Sequence, residues 1–190
     1  MILYVNTCVR AGSRTQRLAR LLLSALGGEA EEIRPAEIAF PTVDEAFLRR
    51  RDEAVAAGDR SAPIFDLARQ FAQADTIVIA APFWDLSFPA SLKRYLEQVT
   101  VPGLTFAYAE NGAPYGMCRA KKLFYVTTAG GQIRSEEYGC GYVKALAQSF
   151  FGIRETVLFK AEGLDVAGAD VEAILQKTER EIQLYVEENP

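Results

Sequence analysis

The chain has 190 residues, 49% of them hydrophobic and 24% charged, which are the proportions of one ordinary globular domain spanning 1–190. A formal net charge of -4 argues against a broad basic face, so no nucleic acid and no membrane surface is expected as a partner. There is no histidine, which excludes Ser-His-Asp and Cys-His catalysis and removes the commonest zinc ligand.

The first residues are apolar at once and lack the charged lead of a secretory signal. No apolar run approaches the roughly 20 residues needed to cross a bilayer. The three cysteines, Cys8, Cys118 and Cys140, are odd in number and far apart, which fits a reducing cytoplasm better than a disulfide framework.

In chain order, Ile2 to Asn6 predicts a buried strand. Leu18, Leu21, Leu22, Ala25 and Leu26 then predict a helix stopped by Gly27 and Gly28. Glu31 to Ile38 is a weaker strand, and Pro35 suits it to a sheet edge. Val43 to Ala57 has helical propensity, and Ile64, Leu67, Phe71 and Ala74 mark another helical face. Thr76 to Ala81 predicts a strand, followed by a helix carrying Leu92, Tyr95, Leu96 and Val99. Pro102 to Arg119 shows no clear secondary structure, yet its Phe106, Tyr108 and Tyr115 mark it as an ordered excursion rather than a linker. Leu123 to Thr128 and Thr156 to Ala161 predict the last strands, and Tyr142 to Phe151 and Val171 to Val186 the last helices.

Alternation with such long crossovers predicts an α/β three-layer sandwich, with a five-stranded parallel sheet of order 2-1-3-4-5. In that order a ligand sits beyond the carboxyl ends of the strands, near the switch point between the first and third. The chemistry is therefore expected in three loops.

The loop after the first strand, Cys8 to Arg17, runs directly into a helix. Ser13 is a plausible cap, and a helix start offers unpaired N–H groups to an anion. Ser13, Arg14 and Thr15, with the guanidinium of Arg10, supply a phosphate with donors. Neither GxGxxG nor GxxxxGK[ST] occurs there, so a dinucleotide fold and a P-loop ATPase are not indicated. Arg17 reads as solvated surface. The loop after the third strand places Pro82, Phe83, Trp84, Asp85 and Leu86 at the mouth of the sheet, a shape suited to a flat ring, although Phe83 and Trp84 taken alone read equally well as a plug of the core or an interface. The loop after the fourth strand, Thr128, Ala129, Gly130 and Gly131, lets backbone approach a ligand closely, where a bare Gly-Gly would be a plain turn.

Together these loops resemble the flavodoxin-like family of FMN-dependent NADH-azoreductases and NAD(P)H:quinone oxidoreductases. Ala81 to Lys93 (APFWDLSFPASLK) is similar to that family's APMYNFxxPxxLKxxxD segment, Gly103 to Phe106 to its GxTF element, and Thr128 to Gly131 to its SRGG loop; Asn111-Gly112 also matches. The resemblance implies tightly bound FMN, with Arg10, Ser13, Arg14 and Thr15 at the phosphate and Pro82 to Leu86 and Thr128 to Gly131 along the ring. It implies NADH or NADPH as co-substrate, a quinone, azo compound or similar small aromatic acceptor, and a homodimer in which the 102–119 excursion covers the partner's site. No protein side chain is assigned a catalytic role, because the hydride chemistry belongs to FMN; Tyr108, Tyr138 and Tyr142 are candidate proton donors. Trp84, Asp85, Ala129 and Gln132 stand where the family often has Tyr, Asn, Arg and His, so those side-chain contacts differ here.

A rival reading is a flavodoxin-like carrier of single electrons between proteins, with the same FMN site and no small substrate. The arginine-bearing phosphate loop and the aromatic excursion favour the reductase. A receiver-type signalling domain fits poorly, since Asn6 and Thr7 stand where an acidic Mg²⁺ pair would be needed.

Overall fold

The computed structural model describes residues 1–189. Five strands, β1 (Ile2–Asn6), β2 (Ala30–Ile33), β3 (Thr76–Ala80), β6 (Lys122–Thr128) and β7 (Glu155–Ala161), form one parallel sheet in the order β2-β1-β3-β6-β7. That is the expected order. Its registers run Tyr4 opposite Val78 and Val78 opposite Phe124, so the apolar runs stack in line across the sheet.

Successive side chains of a strand point to opposite faces, and here both faces are apolar. Leu3, Val5, Ile77, Ile79, Leu123 and Tyr125 enter one core, covered by α3 (Asp66–Gln73), α4 (Ala90–Val99) and the helical segment around α5 (Tyr142–Leu146). Ile2, Tyr4, Val78, Ala80, Phe124 and Val126 enter the other, covered by α1 (Arg14–Leu26) and α6 (Val171–Glu188). Helices therefore lie on both sides of the sheet.

The helix starts follow capping chemistry. The side chains of Ser13, Asp44 and Asp170 accept from Gln16, Phe47 and Ala173 N–H, opening α1, α2 (Glu45–Ala56) and α6. Arg17, expected on the surface, is there but ion-paired: it joins α1 to Glu172 and Glu179 of α6 at 2.7 Å each.

Three elements differ from expectation. The edge strand stops at Ile33, and Pro35–Glu37 is a 3-10 turn instead, because proline lacks the N–H and the free φ that a strand requires. The 102–119 excursion contains an antiparallel hairpin, β4 (Phe106–Tyr108) and β5 (Pro114–Gly116), whose turn uses Gly112 at φ +79°. Three-residue strands are too short for alternation to reveal them. The helix expected from Tyr142 begins at Glu137: π-helical turns at Glu137–Gly141 and Ala147–Phe151 flank α5, and Gly139 breaks helical geometry within the first of them. Two glycines in one turn hid that start.

Candidate functional site

The carboxyl ends of β1, β3 and β6 open onto a cleft of about 390 Å³. Arg10, Ser13, Arg14, Thr15, Pro82, Phe83, Trp84, Thr128, Ala129 and Gly130 line it. Residues nearly 120 positions apart in the chain thus meet at the predicted switch point. Asp85, Leu86 and Gly131, expected there too, do not line the cleft.

One end of the cleft gathers hydrogen-bond donors. Thr7 N–H and Oγ1 both donate to the Ala80 carbonyl, at 3.0 and 2.8 Å, which pins the loop to β3. Gly12 at φ +70° then turns the chain into α1. Ser13 Oγ accepts from Gln16 N–H at 3.3 Å and the Ser13 carbonyl accepts from Arg17 N–H at 3.0 Å, while the N–H groups of Arg14 and Thr15 have no backbone acceptor among the described residues. Those two groups and the rotatable Ser13 hydroxyl are the donors a phosphate monoester requires. Thr15 is buried, and its hydroxyl meets that of Thr128 at 2.7 Å, tying the first loop to the end of β6. Arg10 is exposed and forms no ion pair among the described residues, whereas Arg14 Nη1 donates to Asp165 Oδ1 at 2.9 Å.

The other end is flat and apolar. Phe83 N–H donates to the Thr128 carbonyl at 3.0 Å, carrying the β3–β6 pairing past the strands. Trp84 and Ser87 exchange backbone hydrogen bonds at 3.0 and 2.8 Å around Asp85 and Leu86, which stand at φ +50° and +67°. This is the geometry of a two-residue primed turn, unusual for a leucine, and strain of this kind gathers at ligand clamps. It leaves Trp84 37% exposed at the cleft and Leu86 68% exposed at the tip. Ser87 Oγ donates to the Tyr138 carbonyl, so the turn rests on the start of the π-helical segment.

Across from it, the carbonyls of Gly130 and Gly131 accept from Asp165 and Gly163 N–H at 2.9 and 3.0 Å. Their own N–H groups have no backbone acceptor among the described residues. A Cβ at Gly130 would overlap the Asp165 carboxylate as it stands, so a side chain there would displace Asp165. The residues present therefore fit a ligand with a phosphate at one end and a planar ring at the other.

Sequence reasoning missed Leu164 and Asp165, which also line the cleft from the loop after β7. The available signal was Gly163 directly past an apolar strand, at the same sheet end as the other loops. Among the tyrosines considered as proton donors, none lines the cleft: Tyr108 and Tyr138 are exposed, and Tyr142 borders a separate hollow of about 280 Å³ between α2, α4 and α5.

A family model described as Flavodoxin-like fold matches residues 1–186. An FMN-dependent NADH:quinone oxidoreductase 2 of Clostridium acetobutylicum is 44% identical over 120 residues, covering 60% of this chain and 59% of that protein. The chain thus aligns with little more than half the length of this relative. An FMN-dependent NADH:quinone oxidoreductase of Clostridium beijerinckii is 38% identical over 141 residues, covering 70% of each. Among solved structures, an azoreductase from Bacillus anthracis superposes with a TM-score of 0.86 over 98% of both chains at 21% identity. An FMN-dependent NADH-azoreductase from the same species, in complex with FMN, superposes with a TM-score of 0.78 over 98% of this chain and 97% of its own, also at 21% identity. At that identity the likeness is one of fold.

Proposed function

Since the chain belongs to the flavodoxin-like family that includes the FMN-dependent NADH:quinone oxidoreductases, we propose that it is an FMN-dependent NAD(P)H oxidoreductase acting on a quinone, azo compound or similar small aromatic acceptor. The observation that carries this reading is the cleft itself, which joins free helix-start N–H groups at one end to Phe83, Trp84 and Gly130 at the other.

In this reading bound FMN would supply the redox chemistry, two-electron exchange between a nicotinamide and the acceptor. The protein's residues bind and orient. Arg10, Ser13, Arg14 and Thr15 hold the phosphate, and the Thr15–Thr128 hydroxyl pair keeps that loop in register with the ring end. Pro82, Phe83 and Trp84 form an apolar wall that excludes water from the ring, and the primed turn at Asp85 and Leu86 fixes where the indole stands. Thr128 and Ala129 close the opposite side. The N–H group of Gly130 stabilises negative charge that develops on the ring, as preorganised donors do elsewhere.

The finer expectations belong to the same proposal. Exposed Trp84 at the cleft, Tyr138 on the segment that carries the primed turn, and Tyr108 and Tyr115 on the β4–β5 hairpin support a homodimer, because exposed aromatic surface of this kind marks an interaction face. Sedimentation analysis is expected to give twice the chain mass. Three buried, unpaired cysteines support a reducing, cytoplasmic setting, and no helix among the described residues is long and apolar enough to cross a membrane.

The direct test is to mix the purified protein with FMN, remove the excess, and add NADH or NADPH without oxygen. Retained flavin colour that bleaches with nicotinamide supports the reductase. Flavin that bleaches only with a protein donor supports an electron carrier, and a protein that retains no FMN overturns both. Arg10→Ala is expected to weaken FMN binding by about 1.5–3 kcal/mol through loss of a charged contact, with riboflavin almost unaffected; equal losses in a titration of both would remove Arg10 from the phosphate site.

A further inference from the structure

The cleft holds a carboxylate that a phosphate site does not need. Asp165 lines it beside Arg14, whose Nη1 lies 2.9 Å from Asp165 Oδ1. The pairing is built in by the backbone. Asp165 N–H donates to the Gly130 carbonyl at 2.9 Å and Leu164 N–H to the Ala129 carbonyl at 3.2 Å, so the loop after β7 is laced to the loop after β6. The Asp165 carboxylate then lies over the bare Cα of Gly130, in space that any Cβ would fill. Arg14 also reaches the Leu164 carbonyl at 3.4 Å, so its guanidinium leans toward the β7 loop. Arg10, by contrast, has no ion-pair partner among the described residues.

Two anions cannot both take full advantage of one guanidinium. An incoming phosphate monoester therefore meets one unpaired cation at Arg10 and one cation already engaged at Arg14. We propose that Asp165 is a specificity-determining residue for the cofactor, an internal competitor for Arg14 that holds down affinity for the phosphate-bearing flavin and makes it adjustable. The competition acts through Arg14 at the phosphate end. It therefore weighs less on a flavin without phosphate, and salt weakens it because both side chains are exposed to solvent, at 41% and 72%. This inference rests on the FMN reading of the cleft.

The test compares FMN and riboflavin binding to the full-length protein by fluorescence titration. Asp165→Asn keeps the shape of the side chain over Gly130 and removes its charge. It is expected to tighten FMN about two- to fivefold, the range of an exposed charge pair, with riboflavin changed less and the gain shrinking as salt is raised. In an Arg14→Gln background the same change is expected to gain nothing, because there is no guanidinium left to release. Asp165→Ser serves as a second variant, with thermal melting to check folding. Unchanged or weaker FMN binding in both Asp165 variants overturns the proposal, as does an equal gain for riboflavin, or a gain that persists in full without Arg14. If the unmodified protein binds neither flavin, the flavoenzyme reading falls and this one with it; if it binds FMN and the variants behave otherwise, only this proposal falls.

Discussion

Thr15 and Thr128 carry more than their size suggests. One hydroxyl bond of 2.7 Å between them joins the start of α1 to the end of β6, and Thr15 is almost wholly out of water. Replacing Thr15 by valine keeps the volume and leaves the half-buried Thr128 hydroxyl without its partner, a loss of about 0.5–1.5 kcal/mol for one hydrogen bond. Urea denaturation is expected to show a lower midpoint with an unchanged slope, and FMN is expected to bind less tightly as the two loops lose their common anchor. Both threonines are readable in the sequence as polar residues at the ends of apolar runs. That they touch is not, because 113 positions separate them.

The primed turn between β3 and α4 is where an element bears strain for the site. Asp85 and Leu86 adopt positive φ, a conformation in which a Cβ costs about 1–2 kcal/mol, and Leu86 is too exposed to recover that by burial. Leu86→Gly relieves the clash and gives back part of the gain through the freer unfolded chain. The expected net effect is about 0.5–1 kcal/mol of added stability, a rise of roughly 1–4 °C in melting temperature measured by calorimetry. A lower melting temperature would show that Leu86 is packed in the native state after all. Nothing in the residue types announces this turn, since Asn-Gly is its usual signature and Asp-Leu is not. The hairpin at 106–116 was hidden for a related reason: its strands are too short to show a period, and only Asn111-Gly112 hints at the reversal.

At the scale of the whole molecule, both cores hold ionisable groups that are kept neutral by burial. Desolvation pushes the Cys140 thiol up to about 11 and Cys118 up to about 12, from an ordinary value of 9.0, and raises Cys8, Tyr4, Tyr95 and Tyr125 as well. Each of these groups binds its proton more tightly when folded. Their contribution is fully present below about pH 9, and it is lost as pH rises through the folded values, because only the unfolded chain gains by ionising. The urea midpoint is therefore expected to be nearly flat from about pH 7 to 8.5 as far as these groups are concerned, and to fall between about pH 9 and 12. Cys118→Ala should make that fall shallower. Thiol reagents are expected to react slowly with the folded protein near neutral pH and to count all three cysteines once it is unfolded.

The layered architecture, the parallel sheet and its order, and the three loops that meet at the cleft are all legible in the sequence, because burial on both faces of a sheet imposes long apolar runs and long crossovers demand helices between them. The sequence also marked Arg10, Ser13 and Thr15 as anion donors, since a helix start is a local feature. Only the tertiary structure decided that Leu164 and Asp165 complete the cleft, that Arg14 is shared with a carboxylate, and that Gly131, Asp85 and Leu86 stand outside the lining. These are matters of which separate loops come to lie side by side. Local propensity carries no record of that, because the contacts are made between segments whose closeness in space is set by the sheet.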